Sequence, residues 1–195
     1  MSDVTNNSPE AQDDEYSIDE DTSISISVLD NDEDSDQDNL TVIRISNGSN
    51  GTVAINTDAF ITNYIFGLIP VFTSASTFIY DPDENFSGSD TFSYTVSDGN
   101  GGEDTARVTI EVKPVQDPPV AIDDSADTDE NTSVTISVLD NDTDPDDDVL
   151  TVTAVTNGQY GTVVINDDNT ITYIPDDDEF SGSDTFSYTV SDGNG

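Results

Sequence analysis

Two stretches of this sequence carry oxygen-bearing side chains at nearly every second position: Asp30-Asn-Asp-Glu-Asp-Ser-Asp36 and Asp140-Asn-Asp-Thr-Asp-Pro-Asp-Asp-Asp148. Carboxylates alternating through a tight loop are hard anionic ligands, and a cation of calcium's size accepts about six to eight such oxygens. Candidate ligands are Asp30, Asp32, Asp34 and Asp36 in the first loop, and Asp140, Asn141, Asp142, Asp144 and Asp146 in the second. Neither loop is an EF-hand. No glycine stands at the sixth loop position, Thr41 and Thr151 occupy the twelfth, and the flanks read as strands. Further ligands must come from elsewhere in the fold.

Other chemistries are excluded by what the chain lacks. It has neither cysteine nor histidine, which removes disulfides, zinc sites built on Cys or His, and Ser-His or Cys-His catalysis. Among 195 residues, 43 Asp and Glu face three basic residues, Arg44, Arg107 and Lys113, for a net charge of −40. Nucleic acid needs clustered Lys and Arg and is therefore excluded as a partner. An anionic membrane surface would repel the chain, and its longest apolar stretch, Tyr64 to Phe72, is too short to span a bilayer. No leader peptide is evident, and the chain reads as a segment of a longer one.

Such acidity suits a disordered chain, a salt-adapted surface or divalent-cation binding. Regular alternation of apolar residues argues against disorder. Solvation would scatter the carboxylates, whereas here they gather in turns, which favours Ca²⁺.

The elements that hold these loops repeat. Ile26 to Asp32 recurs unchanged as Ile136 to Asp142, an offset of 110 residues, and Phe86 to Gly101 recurs as Phe180 to Gly195, an offset of 94. The first repeat therefore carries an insertion between the two blocks. The expected organisation is a lead at 1–8, a first repeat at 9–114 with an extended hairpin near 57–76, a proline-stiffened linker at 115–119 and a second repeat at 120–195. Ile24, Ile26 and Val28 alternate with serines, and Phe92, Tyr94 and Val96 alternate with Thr and Ser. This period of two marks half-buried strands. About seven short strands in roughly 100 residues predict an all-β chain of two tandem immunoglobulin-like β-sandwiches. The second is expected to lack its last strand, because nothing after Gly195 matches Gly102 to Val112. That strand either follows in a longer chain or is supplied by another molecule. The spacing from Asp90 to Tyr94 and from Asp184 to Tyr188 predicts a tyrosine corner in each repeat.

In such a sandwich, the loop after the second strand and the turn before the last strand lie at the end where the chain arrives. That placement adds Asp98 to the candidates in the first repeat, and Asp192 with the linker acids Asp117, Asp123 and Asp124 in the second. Glu20, Asp81 and Asp83 are candidates at the opposite end of the first repeat. Asp98, Asn100 and Asp104 read equally as a simple turn.

Asp-Pro-Pro-Val-Ala-Ile-Asp-Asp (117–124), Val-Leu-Asp-Asn-Asp (28–32 and 138–142) and Tyr-Thr-Val-Ser-Asp-Gly-Asn-Gly (94–101 and 188–195) together resemble the cadherin-like, immunoglobulin-like tandem repeats of large secreted bacterial adhesins. The resemblance implies an extracellular or cell-surface stalk or adhesive repeat, rigidified by calcium and partnered by neighbouring repeats. The linker sequence Gln116 to Pro119 departs from the animal cadherin signature by lacking its Asn-Asp pair.

Three classes of function follow from these features: a structural or adhesive spacer, a carbohydrate-binding module, and a two-carboxylate glycosidase. Small sandwiches without a groove-forming insertion argue against an enzyme. Phe60, Tyr64, Ile65, Phe66, Leu68, Ile69, Val71 and Phe72 give the inserted hairpin an apolar tip. That tip either contacts a partner or folds over its own sandwich. Self-association by strand exchange at the open second repeat is a further expectation.

Overall fold

Residues spaced by two along a strand share one face, so each apolar stripe must close against another sheet. A computed structural model resolves this into two units, one ending at Val115 and one beginning at Gln116. It describes residues 6–55, 63–65, 69–71, 77–176 and 181–194, with only the backbone described at 63–65 and 69–71.

The first unit runs β1 (Asp14–Asp19), β2 (Ile24–Ser27), β3 (Thr41–Ile45), β4 (Gly51–Ile55), β5 (Asn63–Ile65), β6 (Ile69–Val71), β7 (Thr77–Pro82), β8 (Gly88–Ser97) and β9 (Glu103–Lys113). One sheet has the order β1-β9-β8-β3 and the other β2-β7-β4. Strand β1 lies parallel to β9, from Asp14 opposite Val108 to Asp19 opposite Lys113. The core joins Ile26, Val28, Phe78 and Tyr80 of one face to Val42, Phe92, Tyr94, Val96, Val108, Ile110 and Val112 of the other. Strands β5 and β6 pair as a hairpin within the insertion, with Asn63 opposite Val71. The apolar side chains expected at its tip lie outside the described residues.

The second unit repeats the plan with fewer strands. It contains β10 (Val134–Ile136), β11 (Thr151–Val155), β12 (Gly161–Ile165), β13 (Ile171–Pro175) and β14 (Tyr188–Ser191). The sheets are β10-β13-β12 and β11-β14, around a core of Val138, Val152, Val163, Ile171 and Tyr173. A bulge follows Val42 in β3 and Val152 in β11, so the repeat extends to irregularities of register. Residues 124–129, which align with β1, are exposed and form no strand.

Tyr94 does not form the expected tyrosine corner. Its hydroxyl lies 2.9 Å from the Gln12 carbonyl oxygen, far back in the leading segment, and 3.0 Å from Asp32 Oδ1. Local turn-holding falls to Asp90 instead. Buried on β8, Asp90 accepts the N–H groups of Ser49, Asn50 and Thr91 and the Tyr80 hydroxyl. The Tyr94 hydroxyl instead fastens the leading segment at Gln12. The second unit copies the clamp, with Asp184 accepting from Gln159, Tyr160, Thr185 and Tyr173. Burial alone would raise the Asp90 pKa, but these donors outweigh it and hold the carboxyl below its usual range.

The clamp leaves no room beside it: a Cβ on Gly48 would sit 2.0 Å from Asp90 Oδ2. Replacing Asp90 with Ala is expected to cost the first unit about 3 kcal/mol, and Tyr80→Phe about 1 kcal/mol, in urea unfolding. Because its folded pKa is depressed, the Asp90 contribution is present above the unfolded value of about 3.9 and fades as pH falls through the folded value. Appending a copy of residues 102–113 after Gly195 is expected to order 124–129 as a strand and raise the melting temperature of the second unit. Unchanged melting after the extension would show that this edge does not accept such a strand.

Candidate metal centres

The acidic loops are shaped by their own first carboxylate. Asp34 Oδ1 accepts the N–H groups of Asp36 at 2.8 Å and Asp38 at 3.2 Å, and Gln37 N–H donates to the Asp34 carbonyl. Gln37 adopts a left-handed conformation, φ 61°, which reverses the chain. One carboxylate oxygen each from Asp34, Asp36 and Asp38 therefore lies within 4.8 Å of the others. The second loop repeats this. Asp144 Oδ1 accepts from Asp146 and Asp148, Asp147 has φ 59°, and Asp144, Asp146 and Asp148 converge within the same limit.

Two other segments meet each cluster. In the first unit Asn7 N–H donates to Asp36 Oδ2 at 2.7 Å, and Asn100 Nδ2 donates to Asp38 Oδ2 at 2.8 Å. In the second, Asp117 N–H and Gln116 Nε2 both donate to Asp146 Oδ2 at 2.8 Å, and Asn194 Nδ2 donates to Asp148 Oδ2 at 2.7 Å. Leading segment, acidic loop and the turn before the last strand position thus converge at one end of each unit. Backbone pairing of Glu10 with Glu33 and of Val120 with Thr143 holds the leading segment against the loop.

These donors leave several oxygens unsatisfied. Asp34 Oδ2 and Asp144 Oδ2 are buried without a hydrogen-bond partner, as are Asn31 Oδ1, Asn141 Oδ1, Asp32 Oδ2 and Asp14 Oδ2. A buried carboxylate oxygen with neither donor nor counter-charge is costly. Among the described residues the one ion pair, Arg44 Nη1 to Glu103 Oε2 at 3.2 Å, lies exposed on other strands. Every candidate donor is oxygen and most are anionic, which fits a hard divalent cation and not a soft one.

The remaining sequence candidates are placed differently. Asp142 is buried, and its Oδ1 accepts Ile122 N–H at 2.7 Å, while Asn141 Nδ2 reaches the carbonyls of Ile122 and Asp123. Asp124 Oδ2 lies 3.1 Å from the Tyr188 hydroxyl. Asp98 and Asp192 hold their own turns: Asp98 accepts from Asn6, Asn100 and Gly102, and Asp192 from Asn194. Asp30 and Asp140 are exposed and stand outside both clusters. At the far end of the first unit, Glu20 is buried and accepts the Val115 N–H, whereas Asp81 and Asp83 are exposed and join no cluster. Sequence reasoning missed Asp38 and Asp148, although the alternation that selected Asp34, Asp36, Asp144 and Asp146 continues through them. It also missed Asp14, which the offset of 110 maps onto the chosen Asp124.

The chain matches the profile of the bacterial Ig domain family, Big_9, at residues 6–111 and again at 116–195. No curated protein matches it. Among solved structures it is similar to an endo-fucoidan hydrolase of glycoside hydrolase family 107, at 17% identity and a TM-score of 0.39, over 96% of this chain and 27% of that one. It is also similar to the extracellular cadherin domains 3–6 of protocadherin gamma B2, at 16% identity and a TM-score of 0.42, over 87% of this chain and 39% of that one. A surface layer protein, SbsC domains 4–9, gives 13% identity and a TM-score of 0.34, over 97% of this chain and 30% of that one. The chain thus spans well under half the length of each of these proteins. With its profile met twice in succession across nearly the whole sequence, the chain belongs to the bacterial immunoglobulin-domain family and consists of two tandem copies of that domain.

Proposed function

We propose that this chain is a calcium-binding structural repeat of an extracellular or cell-surface protein, in which Ca²⁺ fastens the leading segment of each domain to its sandwich. The observation that carries this reading is the pair of unpartnered buried oxygens, Asp34 Oδ2 and Asp144 Oδ2, each within a three-carboxylate cluster. Asp34, Asp36 and Asp38 would hold one ion, and Asp144, Asp146 and Asp148 another. A bound cation removes the repulsion among these groups and joins three segments distant in sequence. Membership of a bacterial immunoglobulin-domain family, in tandem copies, supports a spacer or adhesive role.

The energetics follow from mass action. A site with a dissociation constant near 10⁻⁴ M, exposed to calcium at about 100 times that concentration, gains roughly 2.7 kcal/mol. Calcium is therefore expected to raise the melting temperature of both units well above its value in chelator. It should also increase hydrogen-exchange protection at the amides of Asn7 and Asp117, which donate into the clusters. Equal melting with calcium and with chelator at low salt would overturn the proposal.

Asp34 separates charge from shape. Asp34→Asn keeps the oxygen that organises the loop but removes the unpaired charge. In chelator it is expected to stabilise the first unit by about 1 kcal/mol, whereas with calcium it should be destabilising. Asp34→Ala loses the turn as well and should destabilise under both conditions. Urea titrations of the two variants, with and without calcium, give the four values required.

A further inference from the structure

We propose that the first domain holds a second, inner divalent-cation site, built from Asp14, Asn31 and Asp32 beneath the leading segment. It uses none of the Asp34, Asp36 and Asp38 side chains.

Asp14 opens β1 opposite Val108 and is 9% exposed, with its Oδ2 lacking any partner. Asn31 Oδ1 and Asp32 Oδ2 are likewise buried and unpartnered. The other polar atoms around them are committed. Asp32 Oδ1 accepts the Gln12 N–H at 2.8 Å, and Asn31 Nδ2 points at the carbonyls of Gln12 and Asp13, at 3.4 and 3.3 Å. The adjoining acids are occupied elsewhere: Asp13 Oδ1 accepts Arg107 N–H, and Asp104 Oδ2 accepts Ala11 N–H. The Tyr94 hydroxyl brings one proton to a place where the Gln12 carbonyl and Asp32 Oδ1 both accept. Two carboxylates and an amide oxygen are thus buried with too few donors. A divalent ion balances the two negative charges and supplies the missing contacts.

The second domain differs at the matched positions. Its counterpart of Asp14, Asp124, is exposed, and its Oδ2 takes the Tyr188 hydroxyl. Both oxygens of Asp142 also lie 3.2 Å from that hydroxyl. Among these three positions, only Asn141 Oδ1 is left buried and unpartnered.

The test is the calcium stoichiometry of the full chain, measured by equilibrium dialysis and calorimetry. In an Asp34→Asn, Asp144→Asn double variant, a single ion per chain is expected to remain. Adding Asp14→Asn should abolish it, and adding Asp124→Asn should not. No ion remaining in the double variant, or one that survives Asp14→Asn, overturns the inner site. A double variant that binds as many ions as the unaltered chain instead overturns the outer clusters, so the two failures are distinct. NMR of the unaltered chain gives a second readout that needs no substitution. The Asn31 side-chain amide is expected to shift on calcium saturation by more than that of Asn141, and an unmoved Asn31 signal would likewise refute the site.

Discussion

Carboxylates drawn out of water toward one another repel unless a positive charge stands among them, and the architecture of both domains follows from that constraint. The three basic residues of the chain cannot serve 43 acids, and the ion pair among described residues sits elsewhere on the surface. Some acids are neutralised by geometry. Asp90 and Asp184 each collect three backbone N–H groups and a tyrosine hydroxyl, which turns a charge into a clamp on a turn. Others, such as Asp34 and Asp144, spend one oxygen on the loop and leave the second without a donor. The division between these two kinds of acid separates framework from candidate site.

The duplicated sequence shows how closely the two kinds of acid are tied to topology. Side chains at matched positions make matched bonds: Asn31 and Asn141 both reach carbonyls of the leading segment, and Tyr94 and Tyr188 both anchor it. The units differ at the β1 position: in the first, β1 is a paired strand with Asp14 buried, whereas 124–129 are exposed and Asp124 with them.

Much of the fold was legible in the residues, because alternation of apolar positions dictates strand faces and an exact repeat dictates two copies of one domain. The acidic loops were legible for a similar reason, since alternate Asp residues in a turn can converge. Side-chain roles set by distant parts of the chain were not. Nothing near Tyr94 indicates that its hydroxyl bonds Gln12, because that depends on the leading segment crossing the end of the sandwich. Asp14 was overlooked because a strand-opening acid ordinarily faces solvent, and its burial arises only when β1 pairs with β9. The Glu20 carboxylate accepts the Val115 N–H, a contact that requires both ends of the domain to be in place.

The parallel pairing of β1 with β9 has a mechanical meaning. The chain arrives at the start of β1 and departs from the end of β9, and the two strands run side by side over six residue pairs. Tension applied through neighbouring segments pulls these strands past each other along their length. All the hydrogen bonds between them then resist together in shear, where a hairpin pulled from its open end would lose them one after another. A domain closed in this way is suited to carry tension along a tandem array, and its failure under load should be abrupt.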